Sequence, residues 1–472
     1  MKMLFANIGN RDVQLKETIH FPDGSELTND ELLKNCRAHG EKLLSHESIS
    51  TPFLIYPLLS KALQDIVKLG ILLDRVVLFS TDQPEGVEFR RTDTLHFAKL
   101  LEKWISEEYA EAVHEVEIVR VTENPSSYDL MYLRFEEYMN HFSIRDVETA
   151  YVLLSGGTPA MNNALLFLSH KMFDQRVTCL YVKEFEEQPT YLRIGETMRK
   201  KDLCESLRIL IRRHDYLGAR ELLETNRELF PKGYDTLHPL LTYAHHRLCF
   251  DFKKARAALD PLAGDPRMES LQRKIPDAEN VPRSLEELIG HATILYEQGN
   301  YIDFLGRLFR FQEAWLSEVL KRKLRLPVRK NRSISLQRKE LKKGFRGSEF
   351  DGYVASEFKN KLSSTALKLD RPTMSTIIDW HIEKNHPDHN LLQKLMRYSR
   401  KMDNLATLRN ESPIAHNFKG VSHEDLQNNY GGEDFRVLAD MREMYRLLFG
   451  SFPETYIFRE TNDLVEQVLV HA

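Results

Sequence analysis

The feature that most constrains this chain is an alternation. For the first 195 residues short β-rich apolar runs take turns with stretches whose apolar residues recur every third or fourth position. Strands are predicted over Met3–Ile8, Arg75–Ser80, Val116–Val121, Ala150–Leu154 and Val177–Val182. The intervening stretches Phe53–Gly70, Thr92–Ala110, Ser127–His141 and Pro159–Phe173 read as amphipathic helices long enough to cross from one parallel strand to the next. This predicts a Rossmann-like α/β domain over 1–195. Ligands of such sheets sit beyond the carboxyl ends of the strands, which selects the loops Gly9–Asp12, Thr81–Pro84, Thr122–Ser126 and Ser155–Thr158.

From about Asp202 the strand signal gives way to helices, so the remainder is predicted to be all-α. Asp215-Tyr-Leu-Gly-Ala returns loosely as Asp251-Phe-Lys-Lys-Ala after 36 positions, near the period of helical hairpin repeats. Two units are too few for a solenoid, and the stretch over 196–283 reads as a helical linker domain. A third, helical domain is predicted over 284–472. The terminal run Leu464–Val470 is expected to pack as a helix or strand.

Composition narrows the classes. The 472 residues are 42% hydrophobic and 29% charged, and 66 Lys and Arg against 70 Asp and Glu leave a net charge of -4. This is the balance of a folded protein with no global polyanion or membrane signal. The four cysteines, Cys36, Cys179, Cys204 and Cys249, form no C-x-x-C pair, which argues against a disulfide framework and suits a reducing compartment. The opening MKMLFANIGNRDV lacks the apolar stretch of a signal peptide, and no window of about 18 uncharged apolar residues occurs. A cytoplasmic location without a membrane partner is expected. Charge is locally uneven: Lys321–Arg346 holds 12 Lys or Arg against the single acid Glu340. Such runs are commonly solvated loops, yet this density also suits phosphates released from their counterions.

Two constellations carry chemistry. In the first, the run Tyr151–Leu154 breaks into Ser155-Gly156-Gly157-Thr158 and then Pro159, with Thr158 placed as a helix N-cap and Pro159 at the first helical position. Free N–H groups at that helix start suit a phosphate or carbonyl oxygen. The pattern is neither G-x-G-x-x-G nor a P-loop, which removes specific support for a dinucleotide or ATP hydrolysis. Asn7, Gly9, Asn10 and Arg11 after the first strand, and Thr81, Asp82 and Gln83 after the second, place two further polar loops at the same sheet edge. Together the three loops suggest a nucleotide-sized pocket rather than independent turns.

The second constellation is Arg409-Asn410 followed by His416. Arginine clamps phosphate with two N–H donors and histidine exchanges protons near neutral pH. The pair suits RNA cleavage by attack of the 2'-hydroxyl on the adjacent phosphate, although most Arg and His pairs at this spacing are ordinary surface residues. His381, Glu383, His386 and His389 lack the H-E-x-x-H spacing and are interrupted by Pro387, so no metal is assigned. Trp104, Trp315 and Trp380 sit at helical spacing among apolar residues and are expected in cores.

Arg409-Asn410 with Ala415-His416 resembles the R-x(4-6)-H signature of HEPN ribonucleases, and Leu295–Tyr301 with Arg307, Leu308, Phe309, Arg310 and Glu313 resembles the first helices of that domain. The Asn-x-Gly-Asn-Arg-Asp opening and Ser-Gly-Gly-Thr-x-x-Met resemble the CARF domain, the CRISPR-associated Rossmann fold. CARF domain, helical connector and C-terminal HEPN domain is the order of the accessory ribonucleases of type III CRISPR systems. The resemblance implies a homodimer whose CARF pocket, with Asn7, Gly9, Asn10, Arg11, Thr81, Asp82, Gln83, Ser155, Gly156, Gly157 and Thr158 as binding residues, takes a cyclic oligoadenylate activator. It implies a composite site of Arg409, Asn410 and His416 from both chains, allosterically activated, that cuts single-stranded RNA without metal or other cofactor in antiviral defence. The six residues between Arg409 and His416 include Pro413, at the long end of the signature, and Pro159 stands where many relatives carry Lys. A different class remains open on the residues alone: a nucleotide-sensing regulator whose helical domain binds RNA or a partner without cleavage. A nucleotide-dependent enzyme acting in the Rossmann-like domain finds no base or hydride-transfer motif.

Overall fold

A computed structural model describes residues 1–143, 145–183, 186–277, 280–330, 334–363, 366–432, 435–453 and 456–471. The chain divides into two compact units, Met1–Asp202 and Leu203–Ala472.

In the first unit β1 (Lys2–Asn7), β2 (Leu73–Thr81), β3 (Val113–Val121), β4 (Thr149–Leu153) and β5 (Val177–Tyr181) are parallel, and β6 (Thr190–Leu192) closes one edge antiparallel to β5. The order is β6-β5-β4-β1-β2-β3, so the chain reverses its direction of travel across the sheet at β1. The crossovers are α1 (Leu59–Lys68), α2 (Leu95–Glu108), α3 (Tyr128–Met139) and α4 (Pro159–Phe173). Strand residues bury alternately to the two faces. Leu4, Ala6, Val76 and Leu78 pack with α1 and α2, whereas Met3, Phe5, Val77 and Phe79 pack with α3 and α4. Both faces are therefore apolar, which is why these strands read as continuous runs. Between β1 and α1 the chain also forms two-residue strand pairs and a helix over Cys36–Ser45, elements too short or too polar to show a period.

The second unit is helical. The helix α5 (Ile194–Arg212), whose first residues belong to the first unit, is followed by α6 (Tyr216–Thr225), α7 (Tyr234–Leu248), α8 (Phe252–Ala258) and α9 (Pro266–Arg273). The loose repeat is a capping motif: Asp215 accepts from the Gly218 N–H at 2.9 Å and Asp251 from the Lys254 N–H at 3.1 Å, with Ala219 and Ala255 buried behind them. Next come α10 (Val281–Glu297), α11 (Tyr301–Arg322), α12 (Gly347–Glu357), α13 (Arg371–Glu383), α14 (His389–Asp403), α15 (Ala406–Glu411), α16 (His423–Tyr430), α17 (Val437–Phe449) and α18 (Ile457–His471). The helix α18 sends Leu464, Val465 and Leu469 into the core of α5–α9, and Trp315 anchors a separate core, donating to the Met444 carbonyl at 2.9 Å. Trp380 is likewise buried, and Trp104 is half-buried against Tyr56 and Tyr109.

Strands are not confined to the first unit. Part of the basic stretch forms β7 (Val328–Lys330) and β8 (Ile334–Gln337), which with β9 (Ala366–Lys368) make a small antiparallel sheet. Leu336 on this hairpin is buried while the polar residues beside it are not, the two-residue period that the many cations conceal in the sequence. Arg332 of the basic stretch lies outside the described residues. Among the described residues no helix is long and apolar enough to cross a membrane.

Candidate functional sites

At the carboxyl edge of the sheet, where the strand order reverses, lies a cleft of 730 Å³. Gly9, Asn10, Thr81, Gln83, Gly157 and Thr158 line it. Thr158 caps α4 by accepting from the Met161 N–H at 3.2 Å and donates its hydroxyl to the Pro125 carbonyl, which ties two of the predicted loops together. Gln83 is held by Asp93, its backbone N–H at 2.6 Å and its side-chain amide at 3.0 Å.

The other candidates stand behind the cleft wall. Asn7 is fully buried and donates to Asn162 at 2.9 Å, Ser155 accepts from the Val182 N–H at 2.6 Å, and Asp82 pairs with Arg37 at 2.7 Å. Arg11 is exposed and outside the lining. The paired glycines have a reason internal to the protein. A Cβ at Gly156 would lie 2.1 Å from the Asn7 carbonyl oxygen, and Gly157 has φ of +73° with its Cβ position 2.7 Å from Asn7 Cβ. The β1 and β4 loops thus cross in backbone contact, and Gly157 alone of the pair faces the cleft.

Beneath this crossing Asp12 is buried, accepts from the Gly9 N–H at 2.7 Å, and has its second carboxyl oxygen unpartnered. Loss of hydration pushes its carboxyl up to about 7. Sequence reasoning also missed Val87 and Phe89, which line the cleft with large exposed apolar surface. Their signal is a pair of apolar residues stranded among the Glu and Arg of the run Pro84–Arg91.

In the helical unit Arg409 projects from the last turn of α15 into a cleft of 630 Å³ that it shares with Phe309 and Arg310 of α11 and Arg371 at the start of α13. The Arg409 and Arg371 guanidinium carbons lie 5.7 and 4.2 Å from the Phe309 ring centroid. Arg371 is pinned by Gln312 and by Asp403 at 3.1 Å, and the fully buried Gln312 is fixed in turn through Ser399 and Asp403, each at 3.0 Å. Burial and the charge of Arg409 lower the Arg371 pKa, the mark of two cations held side by side. Asn410 and His416 are exposed, and no hydrogen bond among the described residues joins either to Arg409.

The loop carrying His416 is nevertheless shaped. Ser412 closes α15 by donating to the Arg409 carbonyl at 2.7 Å, Lys419 returns to Glu411 at 2.8 Å, and Ile414 rests on α11 where Gly306 leaves room. Phe418, beside His416, is 91% exposed, too much for a packing role. Arg371 left one sequence signal: a cation at the first position of a helix opposes the macrodipole, a local conflict that marks function more often than folding.

His381 is fully buried against Phe350 and Trp380 and bonds the Ile377 carbonyl, a core histidine. Among the described residues no group of three or more His, Cys, Asp or Glu is placed to hold a metal ion.

Residues 274–466 match the family model of the Cas_Csm6 HEPN domain. The fold aligns over 99% of this chain and 100% of the other with Enterococcus italicus Csm6 bound to cyclic hexa-2'-fluoro-hexa-dAMP, at a TM-score of 0.65 and 14% sequence identity. No curated protein matches the chain in sequence. The fold shared with that Csm6 is a Rossmann-like domain followed by helices. Within that fold the C-terminal portion is similar to the HEPN domain of the Csm6 type.

Proposed function

We propose that the chain is a single-stranded RNA endonuclease of type III CRISPR defence, switched on by a cyclic oligoadenylate bound in the N-terminal cleft. The observation that carries this is the presence in one chain of a nucleotide-sized cleft at the topological switch point and a cleft lined by Arg409 and the pinned Arg371 in a Csm6-type HEPN domain. The Csm6 of similar fold binds a cyclic hexanucleotide analogue, which supports the activator class.

The chemistry follows from the side chains. Attack of the RNA 2'-oxygen on the adjacent phosphorus needs a proton taken from the hydroxyl, a proton returned to the leaving 5'-oxygen, and compensation of the charge that grows on the phosphate. His416, exposed on its loop, supplies proton transfer. Arg409 supplies charge over the Phe309 ring, with Arg371 beside it held in place by Gln312 and Asp403 before substrate arrives. Asn410 orients the phosphate or the pair. With no hydrogen bond among the described residues joining His416 to Arg409, the arrangement suits a site completed by a second copy in a homodimer. Phe418 offers a ring on which an unpaired base stacks.

The test is separation of function. Arg409→Ala and His416→Ala are expected each to slow activated RNA cleavage by about 10²-fold or more while cyclic oligoadenylate still binds with wild-type affinity. Wild-type cleavage by both variants refutes the site. Salt-dependent RNA binding by the wild-type chain with no cleaved product would favour a non-cleaving regulator.

A further inference from the structure

The helical unit holds another cleft, of 570 Å³, that the chemistry above leaves unused. It forms where α11 and α13 both end. Lys323 and Arg325 follow α11, His386 and Asp388 follow α13, and Glu340 and Lys343 come from the segment after β8. The two helices run side by side in the same direction: Phe309 and Gln312 of α11 meet Arg371 at the start of α13, and Leu324 joins His386 beyond its end. The helical rise from Phe309 to Lys323 is about 20 Å. The Arg409 cleft and this one therefore occupy opposite ends of one helix pair.

The ion pairs of the fold do not account for all of its cations. The negative end of a helix dipole attracts Lys and Arg, and Lys321 and Arg322 answer to Glu318 at 3.1 and 2.9 Å. Lys323, Arg325 and Lys343 make no ion pair among the described residues, and Glu340 is engaged by Arg329 at 3.1 Å. Arg325 has φ of +52°, at the turn after the helix where glycine is usual, so an arginine stands where the backbone favours no side chain. His386 accepts from the Asp388 N–H through Nδ1 at 3.1 Å, which leaves its proton on Nε2 as a donor. The lining thus offers three uncommitted cations and a neutral donor, with Asp388 as the opposing charge.

We propose that this cleft is a second phosphodiester site, which holds the backbone of single-stranded RNA away from the scissile bond. This rests on the RNA reading of the HEPN domain. RNA is favoured over a free nucleotide because a single strand long enough to span one helix pair reaches both clefts. Donors that take phosphate without reading a base would lengthen the footprint, so that long RNA is preferred to short RNA irrespective of sequence.

The experiment compares K323Q/R325Q/K343Q with the wild-type chain and with K34Q/K68Q/K201Q, a control of equal charge change. All are made with and without His416→Ala. Binding of a labelled RNA of about 20 nucleotides and of a tetranucleotide is read by fluorescence anisotropy across salt. Single-stranded contacts each contribute about 0.7 to the slope of log K against log salt, so three lost contacts flatten it by about 2. The wild-type advantage on long RNA should then shrink about 20-fold between 50 and 200 mM salt, with tetranucleotide binding unchanged. In the cleaving background KM for the long RNA rises and kcat holds. An unaltered slope, an equal loss in the control, or a loss confined to the tetranucleotide overturns the proposal. A flattened slope in a chain that cleaves no RNA keeps this site and removes the nuclease reading.

Discussion

Replacing Asp12 with asparagine tests the buried carboxyl beneath the crossing glycines. Asp12 is 1% exposed, and burial raises its pKa from 3.8 to about 7. Below about pH 4 the group is protonated whether the chain is folded or not, and it contributes nothing to pH dependence. Between about pH 4 and 7 the folded chain keeps a proton that the unfolded chain releases, so the wild-type N-terminal unit loses stability as pH rises through this window. At 1.36 kcal/mol per unit the full loss is about 4 kcal/mol, complete above pH 7. An asparagine side chain cannot ionise, yet its carbonyl oxygen still accepts from the Gly9 N–H, so Asp12→Asn removes the pH term and keeps the loop. Hydrogen exchange of peptides covering β1 and β4, corrected for intrinsic rates, reads that unit within the intact chain. The variant should match wild type at pH 4 and exceed it by about 4 kcal/mol at pH 8. Parallel pH profiles for the two proteins would refute an unionised Asp12 in the fold.

Other consequences are sharper in function than in stability. Gly306→Leu should leave the helical unit folded, because Gly306 costs its helix about 1 kcal/mol of propensity, but the new side chain displaces Ile414 and with it the His416 loop. RNA cleavage should drop tenfold or more with an unchanged thermal transition, and wild-type activity would contradict the role given to that contact. Gly156→Ala places a methyl group against the Asn7 carbonyl and should abolish cyclic oligoadenylate binding in a titration while cleavage in the absence of activator persists. Intact binding would mean that the loops need not cross so closely. His214 and His291, buried and held neutral with pKa values lowered to about 4 and 3, contribute stability above their unfolded pKa near 6.5 and lose it as pH falls toward those values. Peptides covering His214 and His291, corrected for intrinsic rates, should therefore be less protected at pH 5 than at pH 7, the opposite trend to the Asp12 region, and equal protection would refute the buried neutral state.

What was legible in the sequence divides along physical lines. The five parallel strands and four crossovers were visible because both sheet faces are buried, so Met3–Ala6 and Val76–Phe79 are apolar without interruption. Thr158 and Pro159 announced the start of α4, since capping chemistry is local. The hairpin of β7 and β8 was hidden because one buried leucine, Leu336, sets its register among cations. Of the pocket candidates, Gly9, Asn10, Thr81, Gln83, Gly157 and Thr158 line the cleft, while Asn7, Ser155, Gly156 and Asp82 support it from behind. A loop's composition does not say which residue turns inward. Arg371 and Phe309 join Arg409 through tertiary packing of α11 against α13, a contact that no local spacing encodes.

The central claim is that the N-terminal cleft controls RNA cleavage in the helical unit, and it is met directly by following a fluorogenic single-stranded RNA in EDTA with cyclic tetra- or hexaadenylate added separately. Cleavage is expected to be strongly stimulated by one ring and absent from His416→Ala. No cleavage with either ring from folded wild-type protein, or cleavage indifferent to both, would contradict it.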